Sequence, residues 1–220
     1  MYTGIGTMQA ADVNRRPLKT RSRRWAQGLA TFLASTSVSP NQISVVSVVV
    51  AGAGASVVLA SSAPWALVVC AICIQLRLLC NLLDGMVAVE GGKQSALGAL
   101  YNEIPDRIAD SLFLVSIGYL VQLTWLGWCC ALLAALTAYI RVLGGTLGLP
   151  QSFRGPMAKP HRMAVLTAAC LLGAGERALW GSQYALTAGL VVIGIGTAVT
   201  CWTRTFGMAR ALQAGSRNTP

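Results

Sequence analysis

Residues 77–110 read RLLCNLLDGMVAVEGGKQSALGALYNEIPDRIAD. Apolar residues dominate both ends of this stretch, and Gly91, Gly92 and Lys93 break it in the middle, so it predicts two long helices joined by a short polar turn. On the first helix Arg77, Asn81, Asp84 and Ala88 fall within about 60° of one another at roughly 100° per residue. On the second, Gly98, Asn102, Asp106 and Asp110 recur at steps of four, with Glu103 and Arg107 beside them. A helix this apolar belongs in a bilayer, where each ionisable residue near the centre costs about 2.5–3.5 kcal/mol on insertion scales. Several of them on two adjacent spans therefore call for a functional or pairing explanation.

The rest of the chain agrees with a membrane setting. Of 220 residues, 55% are apolar and 11% charged, and the mean hydropathy is +0.60; a soluble domain carries about a quarter charged residues. The net charge of +10 does not indicate nucleic acid, because the few aromatics sit mostly inside apolar runs rather than on a continuous basic surface. The seven cysteines also lie in hydrophobic segments and read as small packing residues rather than a disulfide frame. Cys70 and Cys73 have metal-ligand spacing, but no second Cys or His pair follows at a zinc-site interval. No secretory signal is visible in the first 40 residues, so the N-terminus is expected to be retained.

Apolar runs near 42–61, 65–89, 98–121, 125–148 and 183–205 are long enough to cross roughly 30 Å of hydrocarbon. A shorter one, from Met163 to about Gly175, spans only with tilt or a thinned bilayer. The expectation is an all-α integral membrane protein of six transmembrane helices. Residues 1–16 are expected to be a disordered basic tail, 39–210 the transmembrane catalytic domain and 211–220 a flexible C-terminus. Residues 17–38 place Leu18, Trp25, Leu29, Phe32 and Leu33 on one face and arginines on another, which reads as an interfacial amphipathic helix; a basic tail that only fixes topology is the alternative. Ser39, Pro40 and Asn41 turn the chain into the first span.

Orientation follows from lysine and arginine. With the N-terminus inside, thirteen basic residues, among them Arg15, Arg24, Lys93, Arg154, Lys159, Arg162 and Arg204, collect on the inner side and only Arg177 on the outer. The positive-inside rule then puts both termini and the ends of the polar stripes on the cytoplasmic face of a plasma membrane. At about 1.5 Å per residue, Asp84 and Asp106 lie roughly 8–12 Å inside that boundary. Carboxylates and amide carbonyls suit Mg²⁺ or Mn²⁺ rather than zinc. The competing reading is a set of intramembrane ion pairs without chemistry, such as Arg107 with Glu103 or Asp110.

Asn81-x2-Asp84-Gly85-x2-Ala88-Val89, eight residues, then Gly98-x3-Asn102-x3-Asp106 resembles, in spacing throughout, the CDP-alcohol phosphotransferase signature D-x2-D-G-x2-A-R-x8-G-x3-D-x3-D. The resemblance extends to the six spans, the helix before the first and the Ser-Pro-Asn entry. It implies a membrane enzyme, commonly a homodimer, that moves a phosphatidyl-type group from a CDP-lipid such as CDP-diacylglycerol to an alcohol acceptor and releases CMP. By position it implies Asn81, Asp84, Asn102 and Asp106 as ligands of Mg²⁺ or Mn²⁺, two ions in the family, with Asp106 also the catalytic base. Gly85, Ala88 and Gly98 would let the nucleotide approach closely. Asn81, Asn102 and Val89 depart from the pattern; the two amides remove two negative charges while keeping two oxygen ligands, leaving one ion or two open, as well as none. Glu103 and Asp110 are candidate auxiliary acids, as is Glu90 as a source of charge.

Arg141, Arg154, Lys159 and Arg162 form a basic group that fits a lipid phosphate or a phosphate on the acceptor, with topology and attraction to anionic headgroups as the alternative. His161 beside them is a lone histidine in a polar stretch. Gly144-x3-Gly148, Gly189, Gly194 and Gly196 permit close helix packing without establishing an oligomer. Two rivals to the transferase remain: a non-catalytic lipid- or nucleotide-binding protein of the same fold, and a small ion transporter using the same polar stripes.

Overall fold

A computed structural model of the chain describes residues 24–216. They form seven helices and, among the described residues, no strand: α1 (Arg24–Ser35), α2 (Pro40–Ala60), α3 (Pro64–Glu90), α4 (Gly98–Leu120), α5 (Thr124–Thr146), α6 (Lys159–Trp180) and α7 (Tyr184–Ser216). The tail at 1–16 and Leu18 lie outside the described residues.

The helix starts follow local chemistry. At α2, Ser39 Oγ accepts from the Gln42 amide while the Gln42 side chain accepts from the Ser39 amide, and Pro40 fills the first turn. This reciprocal cap satisfies two otherwise orphaned donors. Prolines also open α3 and α6, where their missing N–H costs nothing. α6 stops at Gly181, which takes the left-handed conformation at φ 67°.

Helices α2 to α7 pack as a closed ring. α2 lies between α3 and α4; α4 packs on α5, α5 on α7, α7 on α6, and α6 returns to α3. The backbones of the two motif helices, α3 and α4, stay apart, and side chains such as Arg77 and Asn81 reach across the gap between them to Asp106. Phe113, Leu114, Ile117, Ile74, Met163 and Leu190 fill the common core. Inside a bilayer apolar burial gives little drive for helix association, and close packing takes over. A Cβ on Gly54 of α2 would lie 2.8 Å from Cys73 Cβ on α3 and 3.0 Å from the Phe113 ring on α4.

The outside of the ring is apolar. Trp65, Trp125, Trp128, Trp180 and Tyr184 are all exposed at helix ends on the side away from the motif, as in the aromatic belt of a membrane interface. Five helices are long and apolar enough to cross a membrane: α2, α3, α5, α6 and α7. α4 has the length, 23 residues, but carries Glu103, Asp106, Arg107 and Asp110, and the expected sixth span therefore does not stand on composition. The segment expected to be short is a full helix of 22 residues; its first turn, with Lys159, His161 and Arg162, is helical without being apolar. α7 likewise runs on to Ser216, past the end of its apolar run; 217–220 lie outside the described residues.

α1 packs on α3 through its small side, burying Ala26 and Ala30 against Leu82, Met86 and Val87. Trp25 and Phe32 remain exposed.

Candidate active site

The stripes read from the sequence meet. Asn81, Asp84 and Gly85 from α3, and Asn102, Glu103 and Asp106 from α4, line one cavity of about 280 Å³, closed by Arg141 near the end of α5, Lys159 and Pro160 at the start of α6, Phe153, and Arg204 of α7. Pro105 sits inside α4 between Asn102 and Asp106 and removes the backbone donor that would otherwise reach the preceding turn.

Asp106 is the most heavily engaged group. Its Oδ1 accepts from Asn81 Nδ2 and, at 3.2 Å, from Arg77 Nη2. Its Oδ2 pairs with Lys159 Nζ and, at 3.4 Å, with Arg107 Nη2. Asp84 is buried, and its Oδ2 accepts from Ser44 Oγ on α2 at 2.6 Å. One turn below Asp106, Asp110 is 2% exposed and lies between two buried arginines, with Arg77 Nη2 and Arg162 Nη2 each 2.7 Å from one of its oxygens. Such a layer is favourable in a low-dielectric interior only when every charge has its partner.

The rim is also paired. Glu103 meets Arg141, and Arg107 at 3.6 Å. Arg141 also donates to Gln151 Oε1 at 3.0 Å and lies 5.5 Å from the Phe153 ring centre. Beyond it opens a second cavity of about 880 Å³, which shares Arg141, Phe153 and Arg204 with the first and adds Arg154 and Arg210.

The sequence-derived candidates thus divide. Asn81, Asp84, Gly85, Asn102, Glu103, Asp106, Arg141 and Lys159 line one cavity, and Arg154 the next. Arg162 does not reach either: its guanidinium is committed to Asp110 and the Met157 carbonyl, a buried structural partnership in place of a substrate contact. Asp110 stands below the cavity, and Ala88 and Gly98 lie outside its lining. A Cβ on Gly98 would meet only Ser95 Oγ at 3.7 Å, so no crowding demands glycine there. Of the ion pairs named by the competing reading, Arg107 with Glu103 is present, whereas Asp110 takes Arg77 and Arg162 instead. Sequence reasoning missed Ser44, Phe153 and the site position of Arg204, which counted only toward topology. A serine one turn into α2 carries no signal until α2 is known to cover Asp84.

Among the described residues no three His, Cys, Asp or Glu side chains converge as a metal cluster. The donor set is two carboxylates and two amides, an all-oxygen set that suits a hard cation such as Mg²⁺ or Mn²⁺. With Asn81 donating to Asp106, its carbonyl oxygen is the end of the amide able to ligate.

Fold and site together define a helical, multi-pass membrane protein with a charged cavity between two motif helices. The chain belongs to the CDP-alcohol phosphatidyltransferase family, whose model matches residues 37–202, and is thereby a transferase of phospholipid biosynthesis. It is 33% identical over 150 residues to the archaetidylinositol phosphate synthase of Aeropyrum pernix, covering 66% of this chain and 73% of that one. Its fold is similar to that of the phosphatidylinositol phosphate synthase PgsA1 of Mycobacterium tuberculosis. The structure with CDP-DAG bound superposes with a TM-score of 0.69 at 21% identity over 84% of this chain and 94% of that one. The complex with manganese and citrate gives 0.68 at 21% identity over 83% and 88%.

Proposed function

We propose that the chain transfers a phosphatidyl-type group from a CDP-lipid, such as CDP-diacylglycerol, to a phosphorylated alcohol at the cavity between α3 and α4. The observation that carries this reading is the convergence of Asn81, Asp84, Asn102 and Asp106 from two separate helices on one cavity. The acceptor hydroxyl oxygen forms a bond to the lipid-side phosphorus as the bond from that phosphorus to the bridging oxygen breaks. CMP leaves with that oxygen, and Asp106 accepts the hydroxyl proton. Asp84, held by Ser44, Asp106 and the amide oxygens of Asn81 and Asn102 would hold Mg²⁺ or Mn²⁺. The ion, when bound, supplies charge neutralisation to the diphosphate.

The acceptor's phosphate is assigned to the second cavity. Arg141, Arg154 and Arg204 stand together there, and guanidinium groups match phosphate geometry. The Aeropyrum and Mycobacterium relatives, both inositol phosphate lipid synthases by name, support a polyol phosphate. The reading includes six spans, with α4 the polar sixth, and a site on the cytoplasmic face of a plasma membrane; Lys93 and Lys159 at the site end and Arg177 at the other support that orientation. The proposal includes α1 as an interfacial helix and a homodimer, which cross-linking in native membranes tests.

The deciding experiment supplies CDP-diacylglycerol and paired acceptors, each polyol with and without its phosphate, and follows acceptor label entering lipid. Incorporation only of the phosphorylated acceptor, reduced in Arg141→Ala, is expected. Equal use of the unphosphorylated alcohol would overturn the acceptor assignment.

A further inference from the structure

We propose that Lys159 is a built-in cation of the diphosphate site, standing in for a second metal ion, so that the chain works with a single divalent cation. The inference rests on the phosphatidyl-transfer reading above and concerns how this chain, with two motif carboxylates replaced by amides, balances the donor's charge.

The first support is the occupancy of Asp106. Both its oxygens already face N–H donors, Asn81 and Arg77 on one and Lys159 and Arg107 on the other. On Oδ2 a metal ion would compete with two charged donors and on Oδ1 with Arg77 beside the Asn81 amide, whereas Asp84 is held on one oxygen by a neutral hydroxyl. The second support is charge. Three carboxylates and four cationic side chains line the cavity, so it is positive before any metal enters. The motif of two aspartates and two asparagines has lost the negative charge that would compensate a second divalent ion. Below it, Arg77 and Arg162 share Asp110, so that layer too holds more cationic than anionic side chains.

The third support is the chemistry of the side chain. An ammonium is a compact point charge with three donors. Lys159 gives one to Asp106 and keeps two for diphosphate oxygens. Its backbone is fixed in the first turn of α6 by Pro160, itself in the cavity wall. Lysine is an established point-charge partner of phosphate.

The test uses the full chain purified in detergent. Manganese bound per chain at saturating CDP-diacylglycerol is counted by paramagnetic resonance, and CDP-diacylglycerol affinity is measured in EDTA. We expect one manganese per chain. In EDTA, affinity should fall about tenfold or more in Lys159→Met, as removal of one partner from a desolvated charge pair does, and be kept in Lys159→Arg. Elution profile and helical content establish that each variant is folded, and the manganese count on the unaltered chain needs no variant. Two manganese ions per chain, or an unchanged affinity in folded Lys159→Met, would overturn the role of Lys159 while leaving phosphatidyl transfer intact. No binding of CDP-diacylglycerol even with manganese would contradict the transfer reading itself and the lysine's role with it.

Discussion

Asp110 shows how much of this protein's polar interior is structural. It sits one turn from Asp106 on the same helical stripe, yet Arg77 and Arg162 each hold it at 2.7 Å, below the cavity. Asp110→Ala would leave the buried Arg162 guanidinium without its counter-charge and Arg77 with Asp106 alone, and breaking one side of such a network costs about 3–5 kcal/mol. Thermal unfolding in detergent should show a large loss; a variant as stable as the unaltered chain would mean the pairs contribute nothing. At this scale the sequence was most informative where residues share a helix. Asn81 with Asp84, and Asn102 with Asp106, are brought to one face by helical spacing alone. Ser44, Phe153 and Arg204 reach the site only through packing between distant segments, and no periodicity announces that. Arg162 is the converse case: its type and position suggested phosphate binding, but a buried carboxylate claims it.

Among the elements, α2 decides the geometry of the site, although it carries no motif residue. It packs on both α3 and α4 and keeps them apart, and at Gly54 it leaves no room for a side chain between them. Gly54→Leu would drive a branched side chain into Cys73 and Phe113, and overpacking of this kind costs about 1–3 kcal/mol. Lower thermal stability, with a shifted α3–α4 gap and weaker CDP-lipid binding, is expected. Gly98→Ala, by contrast, has room for its methyl group and should leave stability unchanged; a loss comparable to that of Gly54→Leu would contradict the packing described. Helix existence was legible from apolar runs and breaks, and the α2 cap from Ser39-Pro40-Asn41. Helix extent was less so: α6 begins in a polar turn and α7 outlasts its apolar run, because hydropathy reports the lipid-facing part of a helix and not its hydrogen-bonded length.

For the whole molecule, Lys93, Arg154 and Lys159 lie at one end of the ring, and four exposed aromatics, Trp65, Trp125, Trp180 and Tyr184, mark the other. Alkaline phosphatase fused after residue 181 should therefore be active outside the cell, and a fusion after Lys93 inactive; the reverse pattern would invert the topology. The architecture was readable because a bilayer allows few solutions for long apolar segments. α4 is the exception: its run at 98–121 reads as a span, but Glu103, Asp106, Arg107 and Asp110 leave it less apolar than the five helices that qualify on composition. Asp106, in the cavity between α3 and α4, is expected to support phosphatidyl transfer. This role is tested most directly by CMP release from CDP-diacylglycerol with Mn²⁺ and a phosphorylated polyol, comparing the unaltered chain with Asp106→Ala at matched protein level. Metal-dependent release that falls about 10²–10⁴-fold on losing the general base is predicted; equal release from both proteins, or saturable binding of CDP-lipid with no CMP from either, would contradict it.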